Sequence, residues 1–496
     1  MNGKEAARLG ARLPAGTTVI AAILAVLPVL LGFPAGATAA ITFDDHVIAY
    51  NFDGASSIHP VDLDKDGDID VLGCAFYGDE LTLWLNPGTG PDGWPATVID
   101  GAFDGAHYVN TGDLDDDGDL DIVGAAQLAG ELAWWRNDGG DPILWTRISI
   151  DNAYNGAQQV YPVDMDGDQD LDLVACAYLI DDVSWYRNDG GDPPVWTRRT
   201  ITTSADGVVS AWPVDLDDDG DIDVLSASYD NGRVHWHRND GDSSTTWTSL
   251  LIDGAFGGAH EVRSADLDGD GLTDVLAAAF SLSDLAWWRN DGGDPSGWVK
   301  QIVAPSFTGA SSIASADLDA DGDMDILGAA HTKQDIAWWS NEGGDPLTWT
   351  KQVIDGELAE AWPLTGVDMD GDGDLDVLAA GRAADRVVWY ENQTTTAAPS
   401  GAPAPRARID GAAPNPFNPS VEVRFTLDSA GETRLEVFDV AGRRVALLAG
   451  GTFPAGSHAA RWNGRDGAGR PAPSGVYLVR LAAGATVDSE RIVLIR

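Results

Sequence analysis

Seven times, at intervals of 51 residues, the chain repeats one aspartate-rich decapeptide, first met as VDLDKDGDID at 61–70. Taking its first aspartate as position 1, the copies begin at Asp62, Asp113, Asp164, Asp215, Asp266, Asp317 and Asp368, with no insertion or deletion between them. A fixed period of this length makes the repeat the folding unit and confines the answer to stacked or radially arranged units.

Each unit reads alike. In the second, AHYVNTG (106–112) leads into the loop, and DIVGAA (121–126), LAWWRN (132–137), the turn DGGDP (138–142) and WTRISI (145–150) follow. Alternating apolar residues, β-branched and aromatic side chains and Gly/Asn/Asp/Pro punctuation predict four short strands per unit. Four-stranded units repeated radially describe a β-propeller, so an all-β chain with seven blades is expected.

The tryptophans fit that expectation. There are 19, and 16 occupy three fixed places in the repeat. One place holds Trp134, Trp185, Trp236, Trp287, Trp338 and Trp389. The next residue along gives Trp84, Trp135, Trp288 and Trp339, with Tyr186, His237 and Tyr390 standing in. Adjacent strand residues face opposite sides of a sheet, so each pair places one ring on either face of a blade covered on both. The third place holds Trp94, Trp145, Trp196, Trp247, Trp298 and Trp349, one fewer than the seven units need. One period before Trp94 lies Phe43, within ITFDDHVIAY (41–50), whereas no outer strand follows Asn392. Residues 41–50 are therefore expected to complete the seventh blade and close the ring, which removes a free sheet edge. Cys74 and Cys176 share one place in the repeat, where other units carry alanine, and are expected to be small buried residues too far apart to bridge.

The loops crowd four or five aspartates into one turn. Unpaired carboxylates about 5 Å apart repel by roughly 3 kcal/mol per pair at an effective dielectric near 20. Disorder is excluded by apolar residues at positions 2 and 8 and by the flanking strands, and shared protonation at neutral pH would need very large shifts. A cation remains, and oxygen donors without His or Cys select calcium. The register matches the front of an EF-hand loop, with carboxylates at 1, 3 and 5, glycine at 6, and a main-chain carbonyl at 7. Aspartate at 9 is expected to replace the missing glutamate at 12. The expected ligand positions are Asp62, Asp64, Asp66, Asp68 and Asp70 in the first loop, and Asp113, Asp115, Asp117, Asp119 and Asp121 in the second. They continue as Asp164, Asp166, Asp168, Asp170 and Asp172, then Asp215, Asp217, Asp219, Asp221 and Asp223. Asp266, Asp268, Asp270, Leu272 and Asp274 follow, then Asp317, Asp319, Asp321, Asp323 and Asp325, and finally Asp368, Asp370, Asp372, Asp374 and Asp376. Up to seven structural calcium ions are implied. Leu272 is tolerable only if position 7 contributes main chain. Gln169 stands at position 6 of the third loop, where glycine's freedom at positive φ is needed, so that site is expected to be the weakest.

The DLDxDGDxD loops, with FDGA at 52–55 and 103–106 and FGGA at 256–259, resemble the FG-GAP/VCBS repeats of integrin α-subunit propellers and of many secreted bacterial proteins. The resemblance covers 41–392. It implies one calcium in each hairpin between strands one and two, and ligands approaching from the opposite face.

Charge and the two ends complete the organisation. With 79 acidic against 30 basic residues, the formal charge of −49 argues against nucleic acid as a partner. It suits a protein that binds cations or stays soluble outside the cell. Residues 401–496 hold 12 Arg and 9 Asp/Glu, which marks the tail as a separate domain. Residues 1–40 read as a signal peptide: Lys4, Arg8 and Arg12, an apolar run from Val19 to Leu31, then Ala37-Thr38-Ala39 before cleavage. That run of 13 residues, interrupted by Pro28, falls short of the roughly 20 that span a bilayer. No transmembrane helix is expected after cleavage. Residues 393–410 read as an Ala/Pro/Thr-rich linker.

The stretch 411–496 alternates as strands with Gly-rich turns, among them NPFNPSVEVRFTL (415–427), RLEVFDVAGRRVALL (434–448), RWNGRDGAGRP (461–471), SGVYLVRL (474–481) and RIVLIR (491–496). A small β-sandwich is expected. Asn415-Pro416, Gly475-Val476-Tyr477 and the basic end at Arg496 resemble both the Ig-like domain of the flagellar hook-capping protein and the C-terminal sorting domain of type IX secretion. The resemblance implies either a sorting or anchoring role, with the secretion machinery as partner, or a spacer.

No catalytic motif is present: no HExxH and no GxSxG. His235-Trp236-His237 places two imidazoles on one strand face, but His237 fills an aromatic place and is expected in the core. The units differ most at two places. Six residues before the first aspartate stand Ser56, His107, Gln158, Val209, His260, Ser311 and Trp362. At the far end of strand two stand Phe76, Gln127, Tyr178, Tyr229, Phe280, His331 and Arg382. Both sets are expected near the face opposite the loops, where they would suit an extracellular carbohydrate or protein ligand. Two readings follow. One is a secreted or cell-surface, non-catalytic binding or adhesion module. The other is a polysaccharide-degrading, lyase-like enzyme, which should cluster Arg or Lys with Tyr or His.

Overall fold

A computed structural model describes residues 41–393 and 407–494, apart from turn residues at 89–93, 141, 242–246, 293–296, 414–416, 418–419, 428–430, 440–443, 466–469, 471, 473–474 and 484–485. The expected signal peptide at 1–40, most of the linker, Asn415-Pro416 and Arg496 lie outside the described residues. The chain divides into two compact units, Met1–Thr394 and Thr395–Arg496. No helix among the described residues is long and apolar enough to cross a membrane.

The first unit is a seven-bladed β-propeller of seven four-stranded antiparallel sheets. The second repeat shows the pattern: an inner strand Ala106–Gly112, then Asp121–Ala126, Glu131–Asn137 and the outer strand Trp145–Asp151. The aspartate loop joins the first two. The seventh blade is completed from the other end of the chain. Strand Phe43–Tyr50 pairs antiparallel with Arg386–Asn392, with Phe43 opposite Asn392 and Val47 opposite Val388. The closure expected from the missing outer strand is thus observed.

The core lies between blades. Trp135 packs with Phe103 against Leu72 and Leu81 of the preceding blade. Its neighbour Trp134 packs the other way, with Tyr154, Val160 and Leu173 of the following blade. Ring closure repeats the scheme, joining Phe52, Val71 and Trp84 of the first blade to Met369, Leu378 and Trp389 of the last. Each such indole buries roughly 200 Å², on the order of 5 kcal/mol of transfer free energy. The second strand of each blade is buried along its whole length and must be slender. At Gly124, a Cβ would stand 3.0 Å from both Phe103 and Trp135. Cys74 and Cys176 are buried and unbridged, as expected.

Polar side chains latch the inner strands together. Ser57 Oγ accepts the Val109 amide at 3.2 Å, and Gln159 Oε1 that of Ala211 at 3.0 Å. Ser210, Glu261 and Ser312 receive Val262, Ile313 and Leu364 in the same way.

The second unit is a β-sandwich. Strands Ala407–Ala413, Val421–Leu427 and Gly456–Trp462 form one sheet; Arg444–Phe453, Gly431–Asp439, Gly475–Ala483 and Thr486–Leu494 form the other. Val423, Phe425, Leu435, Val437, Val479, Leu481 and Ile492 fill its core. Two boundaries differ from expectation. The sandwich begins at Ala407, inside the stretch read as linker to 410, and the strand expected at 461–471 lies instead at Gly456–Trp462. Both are edge strands flanking Val421–Leu427, and each turns few large apolar residues to the core, so neither shows a strong period-2 pattern.

Candidate functional site

Each aspartate loop is wound by its own carboxylates. The side chain at position 5 accepts the amide of position 7 in all seven loops, at 2.9–3.1 Å. Position 1 accepts the amide of position 6 in six of them, from Asp113–Gly118 at 3.0 Å to Asp368–Gly373 at 3.2 Å. Position 6 is left-handed throughout, with φ between 81° at Gln169 and 100° at Gly322. A residue with a Cβ costs about 1–2 kcal/mol there, so Gln169 is held against its preference. Position 4 is left-handed too, at Lys65, Asp116, Gly167, Asp218, Gly269, Ala320 and Gly371. Only the three glycines among these hinted at it in the sequence.

The winding gathers oxygens. Carboxylate atoms of Asp62, Asp64 and Asp66 lie within 4.8 Å of one another, as do those of Asp113, Asp115 and Asp117, and of Asp215, Asp217 and Asp219. In the third and fifth loops position 9 joins positions 1 and 3: Asp164, Asp166 and Asp172, and Asp266, Asp268 and Asp274. Oδ1 of Asp62, Asp115, Asp215 and Asp266 is buried with no hydrogen-bond donor. Orphaned oxygens in an all-oxygen set are what a hard cation satisfies, so the residues fit a metal.

Position 9 does more than the sequence indicated. Asp172 Oδ2 accepts the Met165 amide at 3.1 Å and Oδ1 the Asn188 amide at 2.7 Å, tying the loop to the end of the third strand. The same pair of bonds recurs in every blade, for example at Asp70 and Asp376. Burial raises these carboxyls against the pull of the two amides. Asp70, Asp121, Asp172 and Asp376 rise to about 6, and Asp223, Asp274 and Asp325 to about 7.

Internal cations reach some loops. Arg289 pairs with Asp268 at 2.8 Å and Asp270 at 3.2 Å, and Arg187 with Asp166 at 3.3 Å. The matching place in the first, sixth and seventh blades carries Leu85, Ser340 and Glu391.

The opposite ends of the same hairpins meet at the hub, roughly 20 Å from the loops. A pocket of about 270 Å³ opens there, lined by His107, Gln127, Gln158, Tyr178, Val209, Tyr229, His260, Phe280, Ser311, His331, Trp362 and Arg382. These are the residues singled out as variable between units, save Ser56 and Phe76. Trp362 stands between His107 and His260, its ring centroid 5.2 Å from each. His107 Nδ1 donates to the Gln158 carbonyl at 3.0 Å and His260 Nδ1 to the Ser311 carbonyl at 2.7 Å. Burial lowers their pKa to about 3 and about 4, and the charge of Arg382 adds to the effect. The Arg382 guanidinium lies 4.3 Å over Phe76.

The paired histidines of the fourth blade play no such part. His237 is buried, with Nε2 and Nδ1 each 2.8 Å from the hydroxyls of Ser226 and Ser249, as its aromatic place led us to expect.

The FG-GAP-like repeat model matches residues 62–124, 113–175, 164–226, 215–277 and 266–328, together more than half of the chain. The FlgD Ig-like domain matches 417–486. No curated protein matches the sequence. Among solved structures, a fungal alcohol oxidase in complex with copper shares the fold at 12% identity and a TM-score of 0.51, over 92% of this chain and 100% of that one. A lectin from Agrocybe aegerita, described as recognising non-reducing terminal N-acetylglucosamine, aligns at 17% identity and a TM-score of 0.43, over 64% of this chain and 82% of the lectin. A functionally unknown protein from Desulfotomaculum acetoxidans aligns at 10% identity and a TM-score of 0.41, over 68% and 98% of the two chains. With the five repeat matches spanning six of the seven loops and the Ig-like model much of the sandwich, the chain belongs to the FG-GAP-like repeat family and carries a FlgD Ig-like domain at its C-terminal end.

Proposed function

We propose that this is an exported, non-catalytic binding module whose seven loops take calcium and whose hub pocket takes the ligand. The carrying observation is a division within the repeat. The loop residues are nearly the same in every unit, as a structural role requires, whereas the residues lining the hub differ from unit to unit and converge on one asymmetric pocket. Calcium, when bound, supplies the positive charge that seven carboxylate clusters lack. The chain's own part is to hold those oxygens in wound turns and, through position 9, to fix each loop to its blade. The inner strands begin at the hub and end at the loops, so rigid loops mean a preorganised pocket.

The acidic composition, the leader-like segment at 1–40 and the C-terminal Ig-like domain support a place outside the cell or on its surface, with the sandwich as sorting device, anchor or spacer. A glycan array probed with the mature chain, with and without chelator, tests the reading. Saturable calcium-dependent binding without turnover is expected, and binding that survives mutation of Trp362 and Arg382 would remove the hub from it.

A second reading rests on a specific observation: Arg382, two neutral histidines, Tyr178 and Tyr229 share one pocket. That is the cluster a lyase-like polysaccharide-degrading enzyme would present. Cleavage of array glycans with an unsaturated, ultraviolet-absorbing product would select the enzyme over the binding module.

A further inference from the structure

The polar atoms of the hub pocket narrow the chemistry of what it takes. Gln158 is 3% exposed, and its Nε2 has no acceptor. The Nε of Arg382 is also buried without a partner. Neither donor is made within the protein and both belong to residues that line the pocket, so an acceptor entering it would satisfy them.

His107 and His260 offer the reverse. Each directs Nδ1 at a carbonyl oxygen, which can only accept, so the ring proton sits on Nδ1. The Nε2 of each ring is then a lone-pair acceptor, matched by a hydroxyl. None of the residues lining the pocket is Asp or Glu, in a chain with 79 of them. Among the described residues Arg382 is the one Arg or Lys lining the pocket, with Glu360 and Asp230 touching His331 and Tyr178 at 3.4 and 3.2 Å, and Trp362 gives it a ring face. At about 270 Å³ the pocket has room for one sugar ring.

We propose that the hub recognises a single carboxylated sugar ring, a uronic acid at the end or branch tip of a polysaccharide. Its carboxylate meets Arg382 and Gln158, and its hydroxyls donate to His107 and His260. A neutral hexose leaves Arg382 without an anion. An acidic peptide side chain brings no hydroxyl to the imidazoles. The proposal rests on the hub being the ligand surface.

Calorimetric titration of the calcium-loaded full chain with glucuronate, galacturonate, glucose and glutarate tests it. One uronate is expected to bind at least about tenfold more tightly than glucose or glutarate, since it alone brings both a carboxylate to Arg382 and hydroxyls to the imidazoles. Arg382→Gln should lose that advantage, and Arg382→Lys should keep part of it. His107→Phe should weaken the uronate and not glutarate. Thermal unfolding of each variant in calcium separates lost contacts from lost fold. Glucose binding as tightly as both uronates, and abolished by Trp362→Ala, would overturn the acid while leaving the hub as the site. No saturable binding of any of the four probes, with array ligands retained by Trp362→Ala, would overturn both.

Discussion

Asn188 reaches across a blade interface to donate its Nδ2 hydrogen bond to the carbonyl of Leu114, 3.1 Å away and 74 residues earlier in the chain. The same amide also donates to the Leu171 carbonyl at 3.3 Å, while the backbone of Asn188 holds Asp172. One side chain thus joins two aspartate loops in neighbouring blades. The bond to the preceding blade recurs at Asn290, Asn341 and Asn392, and at 3.5 Å across the ring closure from Asn86 to Met369.

Replacing Asn188 with alanine leaves two buried carbonyls short of a donor. We expect a loss of about 1–3 kcal/mol in chemical denaturation of the calcium-loaded propeller. Stability equal to the parent would show that water replaces the amide.

Gln169 gives a prediction of opposite sign. Gln169→Gly removes a Cβ from a left-handed position, φ 81°, and should stabilise the fold by about 1 kcal/mol and, on the proposed role of the loops, tighten calcium binding at the third. Gly118→Gln, at φ 93° in the second loop, should do the reverse. Calcium titration of both variants checks the pair; weaker binding in Gln169→Gly would mean that its side chain serves the site.

The pH dependence should change sign with metal. A carboxyl whose folded pKa is raised above 3.8 costs stability wherever it is ionised. For the position-9 aspartates that cost is full above about 7 and gone below about 4. Stability of the metal-free propeller should therefore rise as pH falls from 7.5 to 5. In excess calcium, protons compete with the ion for the same oxygens, and stability should fall over that range. Melting curves at both pH values, on dialysed and calcium-loaded protein, read the two slopes. Asp223→Asn should flatten the metal-free one.

An outer groove differs between blades. In the third blade Arg198 lies 4.6 Å over Tyr154 and pairs with Asp182 at 2.9 Å and Asp151 at 3.5 Å, beside Tyr186 bonded to Asp151 at 2.8 Å. The seventh blade keeps only Tyr390, bonded to Asp355 at 2.7 Å; Leu358, Arg386 and Asp45 stand in the places of Tyr154, Asp182 and Arg198. Asp45→Arg would find no ring beneath it and a like charge at Arg386, so the melting temperature should not rise, whereas Arg198→Ala should lower that of the parent. A raised melting temperature in Asp45→Arg would show that Asp355 alone holds the guanidinium.

The sequence by itself determined the period, the four strands per blade, the two-sided tryptophan pairs and the register of each aspartate loop. These are local properties. A loop is wound by amides two to five residues from the carboxylates that receive them, and facing is set by strand alternation. It also exposed the borrowed outer strand, because one place in a strict repeat was empty. Only the tertiary structure decided what ring closure brings together. The Asn188–Leu114 bond spans 74 residues. His107, His260 and Trp362 come from three blades and meet only because the inner strands converge on one axis. The edge strands Ala407–Ala413 and Gly456–Trp462 escaped the sequence for the converse reason. Apart from Trp462 they turn mostly small residues, Ala412 and Ala460 among them, to the core, and so carry little of the apolar alternation that would reveal them.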